Sequence, residues 1–530
     1  LVPIERSGKE WVIETADCNG AKDGELVEAE IKGSKARLGL QRGRILSRLG
    51  DPTAPRAVSL IAIHQHNILD YFASEVILEA EKDWEFHVGE RLDLRDMLLI
   101  TIDPADARDH DDACFAHADE DPKNKGGHII WVAIADVAHY VSSSGAIDKE
   151  ARKRGNSTYF TDRVVPMLPE KLSADLCSLH EGVDRYCVAV KIKIDQFGEK
   201  ISQTFYRAIM KSHASLSYEN VQAAYDGGET DIPSDLLEAA IKPLYSAYLS
   251  LKIARDNREP LSLDLPERKI EIGEDGKIAS IRFRERLDAH RLIEEFMVLA
   301  NVASAEVLSD KNVPFLYRVH EEPSKEKLDA LRQTAQSAGL TLTKGQVLKT
   351  AHLNSLLKQA KKTDDAELIN MSTLRSMAQA YYSRQNFGHF GLALRSYAHF
   401  TSPIRRYSDL IVHRALVKAH GWGKDGLSAL DEERLEETAQ MISISERRSM
   451  VAERDTTDRY LSAYLSEREG HEFGGRISGV AKFGAFVRLD ESGAEGLIPM
   501  RLIGREFFNL SQNKNSLTGS ETGLVIALGK

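Results

Sequence analysis

Short runs with a two-residue alternation of apolar and polar positions open the chain. Trp11 to Thr15, Leu26 to Lys32 and Gly43 to Leu49 each read as a half-buried strand, with Asn19-Gly20 and Asp23-Gly24 as turns between them. This spacing predicts a small β-barrel over residues 1–80, left by a short helix from Ile61 to Leu69. Residues 85–425 mix two rhythms. Met97 to Ile102, Ile129 to Asp136, Cys187 to Asp195 and Lys200 to Ile209 read as strands, the last two joined by the turn Gln196-Phe197-Gly198-Glu199. His290 to Leu308 and Ser324 to Ala338 carry the 3.6-residue period of helices. A charged helical connection spans 426–471, and 472–530 returns to β character in Gly475 to Val480, Gly484 to Leu489, Gly496 to Met500 and Gly523 to Leu528. That last pattern fits a five-stranded OB barrel that stops before it closes. The fold class expected is a multidomain α+β protein: barrel, mixed α/β centre, barrel.

Length supports that division, since 530 residues exceed a single core at roughly 150 residues per domain. No apolar run reaches the roughly 18 to 20 residues of a membrane span, so no membrane partner is expected. The net charge of −11 neither points to nor excludes a polyanionic partner, because only the field near a binding channel steers one. Cys18, Cys114, Cys177 and Cys187 form no CxxC pair, which argues against a disulfide framework or a zinc site and fits a reducing cytoplasm. The chain begins at Leu1 inside a strand-like run, and both ends are read as cut.

The densest chemistry lies in Thr101-Ile102-Asp103-Pro104-Ala105-Asp106-Ala107-Arg108-Asp109-His110-Asp111-Asp112. Five aspartates fall within ten residues, directly after an apolar strand. Two unit charges about 4 Å apart repel by about 4 kcal/mol at an effective dielectric of about 20. The loop is therefore either spread out and solvated, or a divalent cation sits among its oxygens. Mg²⁺ takes one or two carboxylates and keeps waters and substrate phosphate, which suits this cluster; the spacing lacks the central Gly and final Glu of an EF-hand. A solvated acidic loop stands beside that reading with equal weight.

A second constellation is His399-Phe400-Thr401-Ser402-Pro403-Ile404-Arg405-Arg406-Tyr407. Ser402-Pro403 predicts a helix start whose first turn carries Arg405 and Arg406, a phosphate site of backbone N–H groups and planar donor forks. An ordinary arginine pair on a surface helix is the alternative. Tyr159 and Tyr218 follow polar residues and could stack on unpaired bases or simply pack. Arg282, Arg284, Arg286 and Arg291 add local positive charge. Phe483 and Phe486 bracket a hairpin, with Phe483 the candidate for an exposed nucleic-acid face and Phe486 for the core.

Together these segments resemble the RNB family, the ribonuclease II and ribonuclease R exoribonucleases, over nearly the whole chain. The carriers are Asp103 with Asp109, Asp111 and Asp112; Pro166-Met167-Leu168-Pro169 with Leu176-Cys177-Ser178-Leu179; Gly388-His389-Phe390-Gly391-Leu392 through Tyr407, in ribonuclease R style; and Gly475 through Pro499. The resemblance implies a cold-shock-type OB domain at 1–80, an RNB catalytic domain at 85–425 and an incomplete S1-type domain at 472–530. It implies a monomeric, processive, sequence-independent 3′→5′ exoribonuclease that hydrolyses single-stranded RNA with a free 3′ end to nucleoside 5′-monophosphates. Asp103, Asp109 and Asp112 would hold Mg²⁺, with Mn²⁺ as the substitute, and Asp111 would be essential to the chemical step. Arg405 would contact the scissile phosphate and Tyr159 the 3′-terminal nucleotide. Tyr218, Glu294 and Arg406 would complete the RNA contacts, with Phe483 on the S1-type face.

The chain departs from the family pattern in three places. Leu263 aligns where many members carry a Phe that stacks on terminal bases. His110 replaces a Phe or Met and is read as pointing away from the cluster. No Lys-rich tail follows the last domain. A catalytically silent RNA-binding protein of the same architecture would lack the carboxylates, and all four are present.

Overall fold

The computed structural model describes residues 1–530 except 5–7, 34–39, 53–56, 264–267, 274, 284, 343–346, 364 and 512–514, so Arg284 lies outside the described residues. At the N-terminus, β1 (Trp11–Ile13), β2 (Leu26–Ile31) and β3 (Gln41–Gly50) form a sheet in the order β1-β3-β2. Helix α1 (Ala57–Gln65) starts earlier and ends earlier than the periodicity predicts. Asn67 turns left-handed at φ 52°, and the Ile68 N–H donates to Ile63 O, which stops the helix before Leu69.

The centre is a five-stranded sheet in the order β4-β11-β10-β7-β6, formed by β4 (Leu92–Leu94), β6 (Asp112–Ala118), β7 (His128–Ala135), β10 (Asp184–Ile194) and β11 (Lys200–Lys211). Strand β7 is buried along its whole length because β6 and β10 flank it and helices α2 (Lys242–Arg258) and α3 (Asp288–Asp310) pack over it. Its unbroken apolar run is what such a position requires. Burying each of Ile130, Val132 and Ile134 contributes about 1.5–3 kcal/mol. The run Met97 to Ile102 yields only the short β5 (Thr101–Asp103), paired in parallel with β12 (Ser215–Ser217). A smaller hairpin, β8 (Thr158–Tyr159) with β9 (Val164–Val165), stands beside the sheet. Further along, β13 (Arg268–Ile272) pairs β14 (Ile278–Phe283), and β15 (Tyr317–Val319) pairs β16 (Tyr381–Ser383).

Helices α4 (Lys325–Ser337), α5 (Thr350–Ala360) and α6 (Ala366–Ser376) enclose a separate core around Leu331, Leu353 and Ile369. Helix α7 (Tyr407–His420) is buried on almost every side. Helix α8 (Leu435–Ser466) runs for 32 residues within the charged helical connection that the sequence predicts. Its buried stripe is Ile442, Ser445, Ser449, Ala452, Thr456 and Tyr460, spaced three or four apart. Most of these are small, so the helix lies tight against the central domain while its charged positions face water.

The last domain holds two three-stranded sheets, β17 (Gly475–Ala481), β18 (Gly484–Leu489) and β19 (Glu495–Pro499), then β20 (Phe508–Leu510), β21 (Ser516–Gly519) and β22 (Val525–Ala527). Gly529 N donates to Ile477 O and Ile477 N to Lys530 O, both at 2.8 Å, so the final residues join the second sheet to the first. The domain docks on the small helical core, where Arg375 Nη2 donates to Ser478 O at 2.9 Å. Among the described residues no helix is long and apolar enough to cross a membrane.

Candidate active site

The acidic side is assembled by strand ends. Asp103 closes β5 and Asp112 opens β6, whose register against β7 sets Asp112 opposite Ile134. Between them the loop is held from behind: Leu179 N donates to His110 O at 3.0 Å, and the Ser178 hydroxyl donates to Arg108 O at 3.1 Å. Asp111 is 3% exposed. Its Oδ1 accepts from Ile404 N at 3.0 Å, and its Oδ2 faces Arg405 Nε at 3.5 Å.

Two consequences follow for charge. Burial pushes the Asp111 carboxyl well above the ordinary carboxylate range, against the pull of Arg405. Burial, with the neighbouring Asp103 charge next, pushes Asp112 up to about 7. His110 does not point away. Its ring donates from Nδ1 to Asp103 Oδ2 at 2.7 Å, and that bond raises the imidazole's affinity for its proton. The alternation argument fails here because residues 104–111 form a loop, not a strand, so the imidazole can fold back onto a carboxylate seven positions before it.

Asp109 turns the other way and accepts from the Tyr159 hydroxyl at 3.3 Å. Among the described residues no three His, Cys, Asp or Glu side chains converge as a finished metal cage. The donor set still fits a hard divalent cation. Asp103 and Asp112 are close enough for one charge to depress ionisation of the other, and such a pair is stabilised by a cation that needs few protein ligands.

The basic side differs from the expectation. Arg405 and Arg406 precede α7 and do not lie in its first turn. Arg406 is the extended N-cap, at φ −136°, and its fork closes on Asp409 with Nε–Oδ2 2.9 Å and Nη2–Oδ1 2.8 Å. Asp409 also accepts from Ser402 N and the Ser408 hydroxyl, each at 2.8 Å. The helix start is thus already served by an internal carboxylate, which removes it as a phosphate site and turns Arg406 inward. Arg405 is the one left facing the cleft, with 47% of its side chain exposed.

Tyr159 reaches this cleft from β8. Ser157 N donates to Arg405 O at 3.0 Å, and Tyr407 N donates to Gly155 O at 2.9 Å, pinning 155–157 beside the basic segment. Gly155 has φ 76°, and a Cβ there would come within 2.8 Å of Ser445 on α8. That close approach requires glycine and brings in two residues the sequence reading missed. Glu453 on α8 accepts from Tyr159 N at 2.7 Å. Glu446 binds both Arg318 nitrogens, at 2.6 and 2.9 Å, and lines the cavity of about 220 Å³ shared by Tyr159, Tyr382, Arg405 and Arg406. A charged helix carries no sequence signal that separates these two glutamates from solvated ones.

The remaining candidates lie further out. Parallel pairing sets Ser217 against Asp103, so Tyr218 follows next to the acidic strand end, and its ring stacks on His290 at 4.1 Å. Glu294, one turn after His290, is exposed and paired with Arg286, while Glu295 is the buried member, facing Arg255 Nε at 2.9 Å. Leu263 packs into the small helical core with Leu261, away from the carboxylates. Phe483 is exposed at the β17–β18 turn and meets the half-buried Phe486 edge-on at 6.0 Å.

Comparison with known proteins agrees with this layout. Residues 91–421 match the RNB domain, 4–73 a cold shock domain and 467–526 the S1 RNA binding domain. The chain is 39% identical over 526 residues to ribonuclease R of Vibrio parahaemolyticus serotype O3:K6, covering 96% of this chain and 62% of that one. It is 35% identical over 538 residues to ribonuclease R of Aquifex aeolicus, covering 100% of this chain and 75% of that one. The structure of Mycoplasma genitalium RNase R in complex with ribose-methylated single-stranded RNA superposes with a TM-score of 0.91 at 29% identity, over 98% of this chain and 82% of that one. The chain thus spans about three-fifths of the length of the first of these curated relatives.

Proposed function

The chain belongs to the RNB-domain family, and on that premise we propose that it is a 3′→5′ exoribonuclease acting on single-stranded RNA with a free 3′ end. The observation that carries the proposal is the 3.5 Å approach of Asp111 to Arg405, which lines one cleft with Tyr159. An acid group whose proton affinity burial has raised and an exposed planar cation are the two groups that phosphodiester hydrolysis asks of a protein.

The Arg405 fork binds the scissile phosphate and stabilises the charge that develops on it. Ile404 N–H fixes Asp111 through Oδ1, which leaves Oδ2 to orient the attacking water and take its proton. Tyr159, anchored by Glu453, packs against the 3′-terminal nucleotide and sets how short the last product can be. Tyr218 and Glu294 lie along the nucleotide path, and Phe483 offers a stacking face on the last domain. Asp103, Asp109 and Asp112 would hold a divalent cation, Mg²⁺ or Mn²⁺, whose chemistry there is Lewis-acid stabilisation of the phosphate. The products are nucleoside 5′-monophosphates, and the enzyme works as a cytoplasmic monomer. The domain limits we assign are 1–80, 85–425, 426–471 and 472–530.

Digestion of a 5′-labelled single strand with Mg²⁺ tests this reading. The expected result is a ladder that shortens from the 3′ end and stops on adding EDTA. Cleavage that persists in Asp111→Asn overturns the assigned chemistry. A partly duplexed substrate with a 3′ overhang separates an enzyme that halts at the junction from one that passes through it.

A further inference from the structure

We infer that a second cavity, of about 330 Å³ and with no lining residue in common with the Tyr159–Arg405 cleft, is a binding site for an uncharged nucleobase. Its walls are Trp84, Phe86, Tyr140, Leu176, Val183 and Tyr186. Leu176 belongs to the segment 176–179, which braces the carboxylate loop through Ser178 and Leu179.

The rings are ordered by their own contacts. Tyr186 is held between the Arg91 guanidinium, 4.3 Å from its centroid, and Phe86, stacked at 4.5 Å. Its hydroxyl accepts from His87 N and donates to His87 O. Trp84 meets Tyr140 edge-on at 5.1 Å, and Phe86 and Val183 are exposed at the mouth. The polar groups are engaged as well. Arg185 donates to Ser178 O and Asp175 O, and Asp184 faces both Arg95 and Lys211.

Tyr140 is the exception. It is 5% exposed and lines the cavity, yet its hydroxyl has no hydrogen-bond partner among the described residues. Burial pushes this phenol up, so it stays protonated and offers a donor. Lining the cavity, this hydroxyl can donate to an acceptor on a ligand in place of solvent. What the cavity offers is therefore aromatic surface and one hydrogen-bond donor, with the inner charges of Arg185 and Asp184 paired and Glu85 standing at the rim, 78% exposed, against His87. Those features select a flat, neutral heterocycle with an acceptor on its edge. A phosphate would find no unpaired cation inside, and the one carboxylate open to a cation is solvated at the mouth. A purine or pyrimidine fits, carried either by a free nucleoside or by a base splayed from an RNA strand.

The test uses the full chain carrying Asp111→Asn, so that RNA stays intact and failure of the catalytic reading leaves this one unaffected. Adenosine and uridine are titrated by saturation-transfer difference NMR and calorimetry, with adenosine 5′-monophosphate, a single-stranded oligonucleotide and N-acetyltryptophanamide in parallel. Both nucleosides should bind, and the monophosphate should bind no tighter than adenosine. Phe86→Ala, at an exposed position, should weaken binding about tenfold by removing one stacking face. Tyr140→Phe should weaken it about three- to tenfold while leaving Tm unchanged, because the lost hydroxyl has no partner in the free protein. Competition between the oligonucleotide and adenosine would assign the base to RNA, and its absence to a free nucleoside. The inference fails if neither nucleoside binds, if Phe86→Ala binds them as well as the parent, or if N-acetyltryptophanamide displaces them, which would make the cavity a socket for an aromatic side chain of a partner protein.

Discussion

The two walls of the cleft treat charge in opposite ways. The acidic wall, Asp103 to Asp112, leaves its carboxyls under-compensated: Asp111 and Asp112 are both pushed towards the neutral acid, and the His110 imidazole hydrogen-bonds Asp103. In the basic wall, His389 to Asp409, the buried charges are paired or suppressed internally. Arg406 is closed on Asp409, Tyr382 hydrogen-bonds His399 at 2.9 Å, and burial holds His389 and His399 uncharged, leaving Arg405 facing outward. One wall keeps carboxyls that folding leaves under-compensated; the other frames the Arg405 guanidinium. Groups that folding alone does not satisfy are candidates for function.

Replacing one aspartate on each wall should test this contrast most sharply. Asp111→Asn should lower single-turnover RNA cleavage by about 10³-fold or more. Measured without divalent cation, its Tm should rise, because a carboxyl whose proton affinity is raised by folding opposes folding at neutral pH. Asp409→Ala should do the reverse to stability. Asp409 is fully buried and holds Arg406, so its loss should cost about 3–5 kcal/mol in denaturant unfolding. If both variants shift stability in the same direction, the contrast between the walls is wrong.

Removing the outward cation is the next smaller effect. Arg405→Ala should cost about 10²–10³-fold in kcat with little change in Tm, and Arg405→Lys should recover only part of it, because an ammonium cannot present the planar fork. The mildest test is pH. Burial, then the charges of His320 and Arg318, pull His389 down to about 3. An unfolded imidazole titrates near 6.5, at about the ordinary value. Between those values the unfolded chain binds a proton that the folded one refuses, so stability is complete above the upper value and falls as pH drops, by about 1.4 kcal/mol per pH unit for one imidazole. Tm followed from pH 7 downward should therefore decline below about 6.5, and His389→Gln should flatten that decline.

Several features were readable before any fold was known. The central strands were legible because a strand buried on both faces must be continuously apolar, as Ile129 to Ala135 is. The carboxylate cluster was legible because five aspartates fall within ten residues. The long helix was legible as a helix, but its packing face was not. Its buried stripe is Ser445, Ser449, Ala452 and Thr456, small residues that carry no hydrophobic signal but permit close contact with Gly155. Glu446 and Glu453 share that helix, which is why the groups that hold Arg318 and Tyr159 went unseen. Pro403 suggested a helix start, yet α7 begins only at Tyr407, since Ser402 N is drawn to Asp409 and the intervening residues form a turn.

By itself the sequence determined the residue types of the cleft, the order of the domains and the presence of a dense carboxylate loop, because each is a local property of composition and spacing. Tertiary structure decided which of two adjacent arginines faces outward, where the imidazole of His110 points, and which glutamates touch the site. Those outcomes depend on partners far away in the chain, such as Ile404 for Asp111 across 293 positions. No local pattern encodes a contact between segments that only the fold brings together.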